Sequence, residues 1–214
     1  MLPLLKYIVF DFDGTLVDSL DIIVTGYNQM AEKYRAKTVE PQDIPRLKGM
    51  TIPERARYLN FRLYMFPLAA LDIYKLYRQS LRRLRFFAGM RELLIGLHEQ
   101  GFKLGIISTN SEHNIREFLE RNGIDFIDDF HCSNNIFGKD KDIRKFLKVN
   151  RIKNTEMIYV GDEARDIVAC QKNRVPVIWV SWGYDSLENI QRVKPDYMVD
   201  HPEEILSCIQ AHSS

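Results

Sequence analysis

Cysteine is scarce in this chain: Cys132, Cys170 and Cys208 are the only three among 214 residues. An odd number at wide spacing fits neither a disulfide framework nor a cysteine-built metal site, and it suits a reducing compartment. An excess of either charge is also missing. Thirty Lys and Arg stand against 29 Asp and Glu, a formal net charge of +1, which gives no overall electrostatic case for nucleic acid. No apolar run is long enough to span a bilayer. The apolar N-terminal stretch is interrupted by Lys6 and runs straight into Asp11, too short and wrongly flanked for a secretory signal. The expectation is therefore a cytoplasmic protein with no nucleic-acid and no membrane partner. The hydrophobic content of 45% suffices for an ordinary core, in one domain or one domain carrying an insertion.

What is present concentrates in one stretch, Tyr7-Ile8-Val9-Phe10-Asp11-Phe12-Asp13-Gly14-Thr15-Leu16-Val17-Asp18-Ser19. An unbroken apolar run predicts a strand buried on both faces, as in a parallel sheet. Two carboxylates cannot continue that burial unpaired, so the strand ends near Asp11 and the acids lie on the loop beyond it. In open α/β sheets that edge is where ligands bind. Taken alone, Asp-x-Asp-Gly is also an ordinary acidic turn.

The same pattern recurs. Phe102-Lys103-Leu104-Gly105-Ile106-Ile107 runs into Ser108-Thr109-Asn110, and Met157-Ile158-Tyr159-Val160 runs into Gly161-Asp162, with Asp166 four residues on. Further strands are expected near Phe130–Cys132, over Val175–Val180 and near Tyr197–Val199. Helices are expected from Gly89 to His98, from Glu112 to Arg121, after Gly138 to about Asn150, and from Pro202. Between Leu20 and Arg85 no strand alternation stands out. Ile22–Tyr34 and Leu68–Leu84 predict amphipathic helices, and Thr51-Ile52-Pro53-Glu54 predicts a capped helix start.

The loop from Asp11 to Ser19 closely resembles the nucleophile loop of the haloacid dehalogenase-like superfamily, in its phosphatase branch. The run from Gly138 through Gly183 and the ending Pro195-Asp196-Tyr197 are similar to phosphoglycolate-phosphatase-like members. The resemblance implies an α/β fold, a Rossmann-like doubly wound parallel sheet with an inserted α-helical cap, the core being 1–17 with 86–214 and the cap 18–85. It implies Asp11 as nucleophile and Asp13 as general acid/base. Ser108 takes the position of the phosphoryl-binding hydroxyl, with Thr109, Asn110, Gly14 and Thr15 as substrate neighbours. It requires one lysine, for which Lys139 is the candidate and Lys141 the runner-up. It places Mg²⁺ on Asp11, the backbone carbonyl of Asp13 and Asp162, with Asp166 acting through water or supporting the direct ligands from behind. Magnesium's preference for oxygen ligands and retained waters makes so few carboxylates sufficient.

The reading that follows is a Mg²⁺-dependent phosphatase acting on a small phosphorylated metabolite through an aspartyl-phosphate. The loop Arg46-Leu47-Lys48-Gly49-Met50 is the candidate tip by which the cap reads the substrate, with Lys48 as a substrate contact. Leu47-Lys48-Gly49 also resembles the cap loop of β-phosphoglucomutase-like enzymes, whose metal loop carries Glu-Asp where this chain has Gly161-Asp162. A dehalogenase would lack Asp13. A receiver-type signalling domain, or a silent member used for binding, is the alternative from outside catalysis.

Overall fold

Strand β1 (Tyr7–Phe10) lies at the centre of the sheet and is buried along its whole length. The structure, a computed structural model, describes residues 5–133 and 135–213. Strands β4 (Lys103–Ser108), β5 (Asp129–Cys132), β6 (Met157–Gly161), β7 (Val177–Val180) and β8 (Tyr197–Val199) join β1 in a six-stranded sheet of order β5-β4-β1-β6-β7-β8. Every pairing in it is parallel. The chain builds outward from β1 on one side, then returns to β6 on the other. The strand order therefore reverses at β1, and a crevice opens there beyond the carboxyl ends of the strands.

Side chains alternate across the sheet with period two. Ile8, Phe10, Leu104, Ile106, Ile158, Val160, Ile178 and Val180 face one layer, covered by α5 (Met90–Glu99), α6 (Glu112–Arg121) and α10 (Pro202–Ser213). Tyr7, Val9, Ile107, Met157, Tyr159, Val177 and Trp179 face the other, covered by α7 (Lys139–Asn150) and α8 (Ala164–Asn173). Burial on both faces is why these strands are continuous apolar runs in the sequence.

Between β1 and β4 the chain makes a helical excursion through α1 (Leu20–Ala31), α2 (Ile44–Lys48), α3 (Ile52–Tyr58) and α4 (Phe66–Ser80). A small core of its own, Met30, Tyr34 and Ala69, is packed by Phe61, Met65 and Ile73, while Ile22, Tyr77, Leu81 and Leu84 join the main core. The excursion starts and ends in a two-stranded antiparallel ribbon, β2 (Val17–Asp18) against β3 (Arg85–Phe86). The expected cap at Thr51 is present as a capping box with Glu54. The two long helices are offset from the sequence expectation. Pro67 presets the first turn of α4, and past Ser80 the chain turns so that Leu81 and Leu84 enter the main core. A short α9 (Leu187–Ile190) completes the elements. Among the described residues no helix is long and apolar enough to cross a membrane.

Candidate active site

Asp11 follows β1 directly. Its amide donates to the Val160 carbonyl at 2.9 Å, prolonging the sheet pairing by one step. Its Oδ1 accepts from the Phe12 amide at 2.7 Å and its Oδ2 from Lys139 Nζ at 2.6 Å. Asp11 is 2% exposed and Lys139, the first residue of α7, is 3% exposed. The same ammonium pairs with Asp166, which is completely buried in the first turn of α8. Burial works against the charge of Lys139, but the Asp11 and Asp166 carboxylates outweigh it and raise its pKa above the ordinary value. Lys141 is exposed, so the geometry separates the two lysines.

Asp162, completely buried at the end of β6, is held on every side. Thr15 Oγ1 donates to its Oδ1 at 2.8 Å and the Tyr184 amide to its Oδ2 at 2.7 Å. A Cβ on either Gly14 or Gly183 would collide with its carboxylate. Gly14 also has φ +81°, a conformation that favours glycine. Both tryptophans pin this region by their indole N–H groups, Trp179 to the Asp162 carbonyl at 2.8 Å and Trp182 to the Thr15 carbonyl at 3.0 Å. Gly14 and Thr15, expected as substrate neighbours, thus stand against Asp162.

Carboxylate oxygens of Asp11, Asp162 and Asp166 lie within 4.8 Å of one another. Burial, then the neighbouring Glu163, Asp166 and Asp11, push Asp162 well above the usual carboxylate range. Burial does the same to Asp166, against the pull of Lys139. Such crowding needs protons or a cation to balance it. An all-oxygen donor set around that point fits a hard divalent ion.

The Asp13 side chain is apart from that cluster. Ser19 Oγ and Tyr77 OH reach its Oδ1 at 2.6 and 2.7 Å, and Asn110 Nδ2 donates to its Oδ2 at 2.8 Å. Ser19 in turn lies 2.5 Å from the Tyr184 hydroxyl. Burial raises the pKa of Asp13, while the hydrogen bonds from Ser19, Tyr77 and Asn110 act in the opposite sense. Tyr77 comes from α4, so a residue of the helical excursion touches an acid of the β1 loop.

Ser108 ends β4, 3% exposed, and its Oγ accepts from the Asn110 amide at 3.0 Å. Its own proton has no acceptor among the described residues. Thr109 offers its carbonyl to the Tyr74 hydroxyl. Lys48 crosses to the Gly183 carbonyl at 2.7 Å, next to the Asp162 cradle. Arg46, expected at the same tip, instead lies over the Tyr58 ring at 4.6 Å: an exposed guanidinium gains more by stacking on a neighbouring aromatic ring than by standing free in solvent.

Several contributors were not anticipated. Arg55 donates from Nε to the Leu47 carbonyl at 2.9 Å, pairs with Asp185 and lies 3.6 Å from Glu163. Glu163 is also held by Arg165 at 2.7 Å. Desolvation works against the Glu163 charge, but Arg165, Arg55 and Lys139 together bring its pKa below the ordinary value. Tyr77 reads in the sequence as one more apolar position of an amphipathic helix, and Arg55 and Arg165 as solvated charges.

A model of the family described as "Haloacid dehalogenase-like hydrolase" matches residues 8–180. A phosphoglycolate phosphatase of Synechococcus elongatus is 26% identical over 206 residues, covering 96% of this chain and 97% of its own. The pyrophosphatase PpaX of Anoxybacillus flavithermus is 24% identical, covering 94% and 95%. A crystal structure described as a predicted phosphatase from Clostridium acetobutylicum superimposes with a TM-score of 0.84 at 23% identity, covering 97% and 99%. With the parallel sheet, the acids after β1 and the paired acids after β6 in place, the chain belongs to the haloacid dehalogenase-like hydrolases.

Proposed function

We propose that this chain is a Mg²⁺-dependent phosphatase that hydrolyses a small phosphomonoester through an aspartyl-phosphate on Asp11. The observation that carries the reading is the contrast between two acids two residues apart. Asp11 is ion-paired to Lys139, whereas no cation pairs with Asp13 among the described residues, and burial favours its protonated form over the opposing hydrogen bonds from Ser19, Tyr77 and Asn110. Neighbouring carboxyls placed in opposed environments are the arrangement that divides nucleophile from acid.

An Asp11 oxygen attacks phosphorus, the bond to the leaving oxygen breaks, and Asp13 gives that oxygen its proton. A water then loses its proton to Asp13 as its oxygen attacks the phosphorus of the acyl phosphate. The bond to Asp11 breaks, freeing inorganic phosphate and restoring both acids. Lys139 and the Ser108 hydroxyl spread the charge of the transferring group. A divalent cation held by Asp11, Asp162 and Asp166 would supply the positive charge that lets an anionic nucleophile meet an anionic phosphate. The names of the two relatives, phosphoglycolate phosphatase and pyrophosphatase, support phosphoryl transfer to water from small substrates.

The test is a panel of phosphorylated metabolites scored for phosphate release with Mg²⁺, followed by acid quench and mass spectrometry. A phosphate adduct on the Asp11 peptide is expected. Turnover in an Asp11→Asn variant, or no release from any ester, would overturn the reading.

A further inference from the structure

Tyr184 stands where three parts of the molecule meet. Its amide donates to Asp162 Oδ2 at 2.7 Å, its carbonyl accepts from Arg55 of α3 at 3.2 Å, and its hydroxyl lies 2.5 Å from Ser19 Oγ. Gly183 before it lies so close to Asp162 that a Cβ would collide, so the backbone of this turn is tied to the end of β6. From that backbone the Tyr184 ring reaches the loop after β1. There Ser19, completely buried, holds Asp13 Oδ1 at 2.6 Å. Ser19 is the only hydrogen-bond partner of the Tyr184 hydroxyl among the described residues.

Counting protons gives the two bonds a direction. A serine hydroxyl has one proton to give and two lone pairs to receive with. With Asp13 ionised, Ser19 spends its proton on the carboxylate, so Tyr184 is the donor to Ser19. With a proton on the Asp13 oxygen that faces Ser19, the chain can run the other way, Asp13 to Ser19 and Ser19 to Tyr184. Neither form of the acid then leaves the Ser19 proton without an acceptor, and a ring lacking the hydroxyl could not provide this.

A general acid must stand within about 2.6–3.2 Å of the atom it protonates, and a misplacement of about 1 Å can cost on the order of 10²-fold in rate. Asp13 lies beyond the end of its strand, one residue before the positive φ of Gly14, so the pairing with β6 that fixes Asp11 stops short of it. We propose that Tyr184 is a positioning residue for the general acid: acting through Ser19, its hydroxyl fixes the Asp13 carboxyl relative to Asp162. This rests on the phosphatase reading, in which Asp13 protonates the leaving oxygen. Tyr77 holds the same Asp13 oxygen from the excursion, whereas Tyr184 holds it from the sheet.

The test is a double-mutant cycle of Tyr184→Phe and Ser19→Ala, read as kcat/KM for an alkyl phosphate, which needs the acid, and an activated aryl phosphate, which needs it little. Tyr184→Phe is expected to lower the alkyl value about five- to tenfold, one hydrogen bond's worth, and the aryl value by less than about twofold. Ser19→Ala, which removes the bond to the carboxylate itself, should cost the alkyl ester about tenfold or more. In Ser19→Ala protein the further change Tyr184→Phe should cost less than about twofold, since a residue that acts through another loses its effect with it. The Tyr184 amide survives Tyr184→Phe, so the rise in melting temperature with Mg²⁺ should match the wild type. That control and the leaving-group comparison decide the matter if the Ser19 variant does not fold. Equal losses on both esters, no loss on either, a Mg²⁺ shift lost with the hydroxyl, or an effect of Tyr184→Phe undiminished in Ser19→Ala protein overturns the positioning role and leaves the phosphatase reading intact. A wild type that hydrolyses neither ester overturns both.

Discussion

Gly183 touches two regions that are held together in different ways. On one side its missing Cβ makes room for Asp162, which is also fixed by Thr15, the Tyr184 amide and Gly14. On the other its carbonyl takes the ammonium of Lys48 from the helical excursion. The first region is fixed by backbone, by glycines and by completely buried groups, so no side chain there can turn without unpairing a charge. The second reaches the sheet edge largely through the ends of side chains, among them Lys48, Arg55, Tyr74 and Tyr77. Its own core is small. The surroundings of Asp162 are over-determined, while the helical excursion meets them through a few replaceable polar contacts.

The contrast is broken most severely at Asp11. Asp11→Asn should keep the fold, as judged by circular dichroism, and lower kcat on the order of 10⁴-fold or more, because an amide cannot attack. Removing metal comes next: chelation should abolish phosphate release, Mg²⁺ should restore it and Ca²⁺, with its longer and looser coordination, should not. Excess Mg²⁺ should also raise the melting temperature, since binding to the native state at a hundredfold above Kd adds about 2.7 kcal/mol. Asp162→Asn should erase that shift, and a shift that persists would move the ion elsewhere.

At the boundary of the two regions, Asp13→Asn should slow an alkyl phosphate by about 10²–10⁴-fold, the usual worth of a positioned acid, and an activated aryl phosphate much less. Tyr77→Phe, which removes only the hydroxyl on Asp13, should show the same leaving-group dependence at about tenfold, the loss of one hydrogen bond to a carboxyl group. Equal losses on both esters would detach Tyr77 from the proton transfer. The smallest effects belong to the excursion alone. Lys48→Ala should lower kcat/KM for a preferred metabolite by about five- to tenfold, one hydrogen bond's worth, with little change for an aryl ester. Arg46→Ala should alter neither by more than about twofold, because its partner is the Tyr58 ring at a solvated site.

The sheet was legible because its strands are buried on both faces, which leaves apolar runs that break into polar residues at one edge. Asp11, Ser108 and Asp162 stand at those breaks. Spacing ranked Lys139 ahead of Lys141 without excluding the second. Two residues along a helix turn the side chain through about 200°, so one is buried against Asp11 and the other faces water. Tyr77 was hidden for the opposite reason: a tyrosine on an apolar helix stripe gives no sign that its hydroxyl ends on a carboxyl group. The ribbon of β2 and β3 left no trace either, since two residues are too few to show a period. Arg46 and Lys48 look alike in the sequence, and only the position of Tyr58 separates them.

The pairing of Val17 with Phe86 and of Asp18 with Arg85 has a consequence for chain entropy. Both ends of the excursion are clamped side by side, so to the sheet it is a closed loop whose ends never need to be found again. The cost of closing a flexible loop grows only with the logarithm of its length, about 0.6 kcal/mol for each doubling. Material between the clamped ends can therefore be lengthened, shortened or exchanged as a cassette at little expense to the sheet, provided the replacement buries its own apolar face and refills the places of Ile22, Tyr77, Leu81 and Leu84 in the main core. A graft of a different helical segment between Asp18 and Arg85 should fold on the same base, with Asp11, Lys139, Asp162 and Asp166 undisturbed beneath it.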